Sequence, residues 1–234
     1  MDTQTIFLKD LINTIQTRAQ NLQKAINGNL FLKKNFIQKI NNTKTNGNVN
    51  FDQKYIVLMQ HPVTTEYLNA KSQIKETIKA AVELVKQNYQ ILWLWPNIDA
   101  GSDIFSKEIR KFREKNKKIK NILFYKNFSP EEYAVILNNC SCIVGNSSSG
   151  IREASYLGIP SVNIGTRQNN REISKNVINV KYSVQEIVGA VKKQYNKKFK
   201  KSSLYGDGKA GYRMAKILSN CELDIKKELN YLKN

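Results

Sequence analysis

The sequence predicts an α/β fold, a doubly wound and mostly parallel sheet with extra helices ahead of it, on three observations. From Tyr55 onward, short apolar runs of strand length alternate with stretches of helical period. The runs are separated by helices, the arrangement of parallel strands covered on both faces. They end in polar loops of distinctive sequence, at the strand ends where open α/β sheets bind ligands.

Ahead of the sheet, Ile6 to Ile26 carries apolar residues at helical spacing, including Phe7, Leu11, Ile15 and Leu22, and Leu30 to Ile40 repeats the pattern in brief. The polar run from Asn41 to Gly47 reads as a linker. Residues 1–50 are therefore expected to form a helical extension and linker, and residues 51–234 the ligand-binding domain with C-terminal helices. In that domain Tyr55 to Gln60 is the first strand, ending at His61-Pro62, and Asn69 to Asn88 an amphipathic helix. Gln90 to Trp95 is a strand stopped by Pro96, Asp103 to Lys117 a basic helix, and Asn121 to Tyr125 the third strand. Ser129-Pro130-Glu131-Glu132 starts a helix, with a capping residue, Pro at the first position and carboxylates in the first turn; it runs to about Asn138. Cys142 to Val144 is a strand, Ile151 to Leu157 a helix closed by Gly158, and Ser161 to Ile164 and Val177 to Val180 are strands. Helices follow over Val184 to Tyr195, Lys209 to Leu218 and Asp224 to Leu232.

The chain has 234 residues, enough for one large domain with helical additions, and 41% hydrophobic content, enough for a substantial core. Its longest apolar run, Ile91 to Trp95, is far short of the ~20 residues of a membrane span. Met1-Asp2-Thr3-Gln4 lacks the basic region and apolar core of a secretory leader, so the cytoplasm is the expected location. The three cysteines have neither metal-ligand nor disulfide spacing and read as small buried hydrophobes. A net charge of +19 raises nucleic acid or an anionic membrane as partners. Its concentrations, Lys107 to Lys120 and Lys192 to Lys201, carry no recognised binding motif and read as solvated helix faces, so neither partner is expected.

The stretch from Cys142 to Glu153 is strand, polar turn and helix in quick succession. A helix start leaves backbone N–H groups unpaired and carries partial positive charge, which favours an anion such as phosphate. Ser147, Ser148 and Ser149 add hydroxyls there, and Glu153, one turn further, can accept bonds from a sugar's hydroxyls. The plainer reading, a serine N-cap on an ordinary turn, stands beside it. With parallel strands, the loops after them share one edge: His61 to Glu66, Pro96 to Ser102, Asn146 to Gly150 and Gly165 to Glu172. His61, the only histidine, is expected to donate to a phosphate or shuttle a proton by titrating near neutrality. Arg167 suits a base carbonyl or a phosphate and is favoured over Arg171. Asp99 and Glu66 are read as helix caps or first-turn charges outside the site.

Four segments in the same order, Gln60-His61-Pro62-Val63-Thr64-Thr65-Glu66, Pro96-Asn97-Ile98-Asp99-Ala100-Gly101-Ser102, Gly145-Asn146-Ser147-Ser148-Ser149-Gly150-Ile151-Arg152-Glu153 and Gly165-Thr166-Arg167-Gln168, resemble the loops of the hydrolysing UDP-N-acetylglucosamine 2-epimerases. The resemblance covers about Tyr55 to Leu218. It implies the Rossmann-like C-terminal half of a GT-B fold, with His61 as the catalytic residue. Asn97 would join it on the nucleotide-sugar, Ser147 and Ser148 would hold the diphosphate, Glu153 the ribose and Arg167 the uridine end. The implied reaction converts UDP-N-acetylglucosamine and water to N-acetylmannosamine and UDP, in sialic-acid-type amino-sugar synthesis, without a metal or other cofactor. The family's N-terminal domain has no counterpart before Tyr55, so the chain is expected to be inactive without a companion chain carrying that domain. Alternatives are a UDP-sugar-binding remnant or sensor and half of a GT-B glycosyltransferase. The amphipathic N-terminal helices leave room for a homo-oligomer.

Overall fold

The computed structural model describes residues 49–207 and 209–221, together with Thr17, Gln20 and Ile40. The helices expected over 6–26 and 30–40, apart from those isolated positions, lie outside the described residues, as do the 41–47 linker and the 224–232 helix.

Six strands form one sheet: β1 (Tyr55–Met59), β2 (Gln90–Leu94), β3 (Ile122–Tyr125), β4 (Cys142–Gly145), β5 (Ser161–Ile164) and β6 (Val177–Val180). Their order is β3-β2-β1-β4-β5-β6, and every neighbouring pair is parallel. The chain starts at the centre, winds outward to β3, then returns to build the other wing from β4. The order therefore reverses between β1 and β4, where Met59 pairs with Gly145, and such a switch point opens a crevice at the carboxyl ends of the two strands.

The side chains of β1 to β4 divide between two cores. Ile56, Leu58, Ile91 and Trp93 face α1 (Ala70–Lys86), α2 (Ser102–Lys115) and α5 (Val184–Gln194). Tyr55, Val57, Leu92 and Leu94 face the other way, with residues of α3 (Pro130–Asn139) and Ala154 of α4 (Glu153–Leu157). Ile40 is buried in that second core. Helix α1 shows how the pattern closes the sheet: Ala70, Ile74, Ile78, Ala81 and Leu84 recur on one face and are all buried, at about 1.5–3 kcal/mol for each large side chain. α3 begins with a full capping box, Ser129 accepting from the Glu132 amide while the Glu132 side chain accepts from the Ser129 amide. The last described helix, α6 (Ala210–Ser219), buries only Ala215.

Four expectations change. The helix expected from Asn69 is preceded by a 3-10 segment, Thr64–Asn69, kinked at Glu66. The helix expected from Ile151 starts at Glu153, because a separate 3-10 turn, Ser148–Gly150, takes up the chain first. β6 is an edge strand, with partly exposed Ile178 and Val180 and exposed Asn179, rather than one covered on both faces. Cys140 and Cys142 are buried small hydrophobes, but Cys221 is exposed.

Candidate functional site

The crevice is set by two consecutive residues at the end of β4. Gly145 has φ of +126°, and a Cβ there would lie 2.0 Å from the Met59 carbonyl oxygen, so only glycine lets β4 end this close to β1. Asn146 follows, fully buried, and every polar group it carries is engaged. Its N–H donates to Met59 O at 3.0 Å. Its side chain grips the backbone of His61, Oδ1 accepting from the His61 N–H at 2.7 Å and Nδ2 donating to the His61 carbonyl at 2.8 Å. Its carbonyl accepts from Gln168 Nε2 at 2.6 Å and from Arg167 Nη1 at 3.4 Å. One asparagine thus fastens the loops after β1, β4 and β5 to each other. Sequence reasoning did not single it out; the signal available was an amide-bearing residue directly after a strand-breaking glycine.

His61 is 2% exposed. The Asn97 backbone N–H donates to its Nδ1 at 3.1 Å, so Nδ1 is an acceptor and the imidazole proton sits on Nε2. Burial, then the neighbouring Arg167 cation, lower its pKa from 6.5 to about 4, against an opposing pull from Asp99. The expected titration near neutrality is corrected accordingly: at neutral pH this is an uncharged ring held in one tautomer, a fixed Nε2–H donor. Asn97 acts here through its backbone, while its side chain is exposed.

The turn after Asn146 also differs from a simple helix start. Ser147 is its N-cap, Oγ accepting from the Ser149 N–H at 3.3 Å. The amides of Gly150, Ile151 and Arg152 bond back to the Ser147 and Ser148 carbonyls at 3.1, 3.1 and 2.9 Å. Amides 149–152 are therefore satisfied within the turn, and the anion donors expected there reduce to the amides and hydroxyls of Ser147 and Ser148. Ser149 is buried beside the Tyr133 hydroxyl, which itself donates to Met59 Sδ at 3.2 Å; burial raises that phenol's pKa. Glu153 is exposed in the first turn of α4.

After β5, Gly165 has φ of +77° and lies against the Tyr182 ring, leaving no room for a Cβ. Thr166 then donates its hydroxyl to Glu66, which also accepts from Gln73 Nε2 at 2.6 Å. Arg167 Nη2 reaches Asp99 Oδ2 at 3.4 Å, a loose and partly exposed ion pair. These contacts wall an open cavity of about 450 Å3, lined by Thr64, Thr65, Glu66, Thr166, Arg167 and Asn169 among others. Glu66, read as lying outside the site, lines this cavity, and Asp99 touches it only through its pair with Arg167; Arg171 is exposed and, among the described residues, bonds through its backbone amide. The structure brings His61, Asn97, Ser147, Ser148 and Arg167 to the sheet's carboxyl edge around Asn146, with Glu153 beyond the turn. Fixed donors beside acceptor carboxylates suit a ligand that is both anionic and rich in hydroxyls. Among the described residues, no group of His, Cys, Asp and Glu side chains forms a metal site.

The profile of a family described as UDP-N-acetylglucosamine 2-epimerase matches residues 20–219. A UDP-N,N'-diacetylbacillosamine 2-epimerase (hydrolyzing) of Legionella pneumophila is 35% identical over 173 residues, 74% of this chain and 44% of that protein. A UDP-N-acetylglucosamine 2-epimerase of Neisseria meningitidis is 32% identical over 174 residues, 73% of this chain and 44% of that protein. The chain thus spans less than half the length of these curated relatives. Among solved structures, the Methanocaldococcus jannaschii UDP-GlcNAc 2-epimerase in complex with UDP-GlcNAc and UDP matches with a TM-score of 0.62 at 20% identity, covering 88% of this chain and 52% of that one. The Neisseria meningitidis enzyme bound to UDP-GlcNAc matches with a TM-score of 0.60 at 15% identity, covering 88% and 53%. At those identities the structural likeness speaks to the fold, the GT-B architecture of which this sheet is one half.

Proposed function

The chain belongs to the UDP-N-acetylglucosamine 2-epimerase family, and from that premise we propose that it is the UDP-sugar-binding half of a hydrolysing 2-epimerase. The observation that carries the reading is the Asn146 clamp, which sets His61, Arg167 and the Ser147–Ser148 turn around one crevice at the switch point of the sheet. Ser147 and Ser148 hold the diphosphate, and Glu153 accepts from the ribose hydroxyls. His61 donates its Nε2–H to the phosphate that departs when the bond from the sugar's first carbon to the UDP oxygen breaks. Arg167, which also reaches the Asn146 carbonyl, is assigned to the uridine end, with the diphosphate as the other group its guanidinium suits.

The reaction proposed is conversion of UDP-N-acetylglucosamine and water to N-acetylmannosamine and UDP: elimination of UDP across the first two carbons, then hydration with inversion at the second. It draws on no metal or redox cofactor. A place in amino-sugar synthesis, a cytoplasmic location and dependence on a companion N-terminal domain belong to the same proposal.

The test is calorimetric titration of the chain with UDP, wild type against Ser148→Ala and Glu153→Ala. Saturable binding that both substitutions weaken by about tenfold or more, as expected for losing a charge-assisted bond, supports the assignment. Binding by the wild type that neither variant changes removes the nucleotide from this turn.

A further inference from the structure

A second cavity of about 370 Å3 opens at the carboxyl ends of β2 and β3, walled by Trp95, Pro96, Arg110, Arg113, Phe124 and Lys126 among others. It shares no lining residue with the cavity beside Arg167. Basic residues on a lysine-rich helix ordinarily form a solvated face, and two features set these apart. First, they converge on a concavity rather than fanning into solvent. Second, the Arg113 guanidinium is held on an aromatic shelf, its carbon 5.1 Å from the Phe124 ring centre and 6.0 Å from that of Trp95. Trp95 is itself fixed, its indole N–H donating to Ser106 Oγ at 3.1 Å.

None of this neutralises the charge. Among the described residues no carboxylate is within ion-pair distance of Arg110, Arg113 or Lys126; the nearby Glu108 is paired with Lys111 at 3.3 Å. Two guanidiniums and an ammonium around one hollow, without a counter-charge, are an electrostatic vacancy for an anion. Arg113 lies over the ring faces that a planar base would need, so the ligand is read through its charge and not by stacking. The volume falls within the range of small-molecule sites.

We propose that this cavity is a second anion site, taking a compact multivalent phosphate of the diphosphate kind, separate from the Asn146 crevice. The loop after β2 connects the two sites: Pro96 lines this cavity, and the next residue, Asn97, holds the His61 ring.

The probe is inorganic pyrophosphate, and Trp95 is the reporter. The chain has two tryptophans; Trp93→Phe leaves Trp95 as the only indole and removes a buried indole N–H that has no partner among the described residues. At ionic strength held constant with sodium chloride, pyrophosphate should produce a saturable change in Trp95 fluorescence. Arg110→Gln and Lys126→Gln, at exposed positions, should each weaken it about tenfold, the scale of one charge-assisted contact, and Arg167→Ala should leave it intact. ADP binding no tighter than pyrophosphate supports recognition of the diphosphate alone; ADP binding about tenfold tighter or more overturns it. If the Trp93→Phe protein fails to fold, calorimetry on an Arg167→Ala, Ser148→Ala double variant reads the same site. A change that does not saturate, that chloride reproduces, or that disappears with Arg167 but survives loss of Arg110 and Lys126 overturns the proposal.

Discussion

Asn146 and His61 are a coupled pair in which one residue supplies shape and the other chemistry. Replacing Asn146 by Ala would leave the buried His61 N–H and carbonyl without partners; at roughly 1–3 kcal/mol for each orphaned group, a loss of about 2–6 kcal/mol in urea unfolding is expected. His61 makes a separate prediction through its proton. Its pKa is depressed in the folded state, from 6.5 to about 4, so the unfolded chain binds the proton more readily between those values. The stabilisation from the neutral ring is therefore complete above about pH 6.5 and is lost as pH falls toward 4, a change on the order of 3 kcal/mol. His61→Gln should flatten the pH dependence of stability across that window, measured as the difference between the two proteins. An unchanged slope would mean that the ring titrates normally. His61 and Arg167 were legible in the sequence because few other side chains can do what they do. Asn146, Glu66 and Asp99 were not, because an amide or a carboxylate in a loop has many bland uses and only tertiary contact distinguishes them.

Two short serine-started elements look alike in sequence and separate on substitution. Ser129 opens α3 with both arms of a capping box, its hydroxyl already engaged by the Glu132 amide. Ser129→Ala should cost about 1 kcal/mol of stability and leave UDP affinity untouched. Ser148 has an amide and hydroxyl directed to no partner among the described residues, so Ser148→Ala should weaken UDP binding while the unfolding midpoint stays put. Comparing both readouts on both variants checks the assignment; the same pattern for both would leave the turn as ordinary structure. Gly145→Ala belongs to this scale too. A Cβ aimed at the Met59 carbonyl at positive φ should remove about 4 kcal/mol or more. The strands were readable because runs such as Ile91 to Leu94 are buried throughout and admit no competing period. The 3-10 segments at Thr64–Asn69 and Ser148–Gly150 were not, since their composition suits the start of an α-helix and only the site's geometry tightens them.

At the scale of the molecule, the sheet presents one wall of a crevice, and that limits what the chain does alone. The proposed elimination begins with removal of the hydrogen from the sugar's second carbon, which needs a base. His61 cannot be that base near neutral pH: its Nδ1 already accepts from Asn97, and its Nε2 carries the proton. Glu153 is committed to the ribose in the proposed binding mode, and Glu66 is tied to Thr166 and Gln73. On the proposed reading the base is therefore not His61, Glu153 or Glu66 but a group on a surface that faces this wall. Supplied with UDP-N-acetylglucosamine, the chain alone should release no N-acetylmannosamine, although it binds UDP. Mixing it with the part of the Legionella pneumophila relative that this chain does not match, the matched part being 35% identical, should restore measurable product, and Ser148→Ala should lower that product through KM more than through kcat. Turnover by the pure chain would mean that a base on this wall has been misassigned, with the Asn97 bond to His61 as the first contact to re-examine by nitrogen-15 NMR of the imidazole.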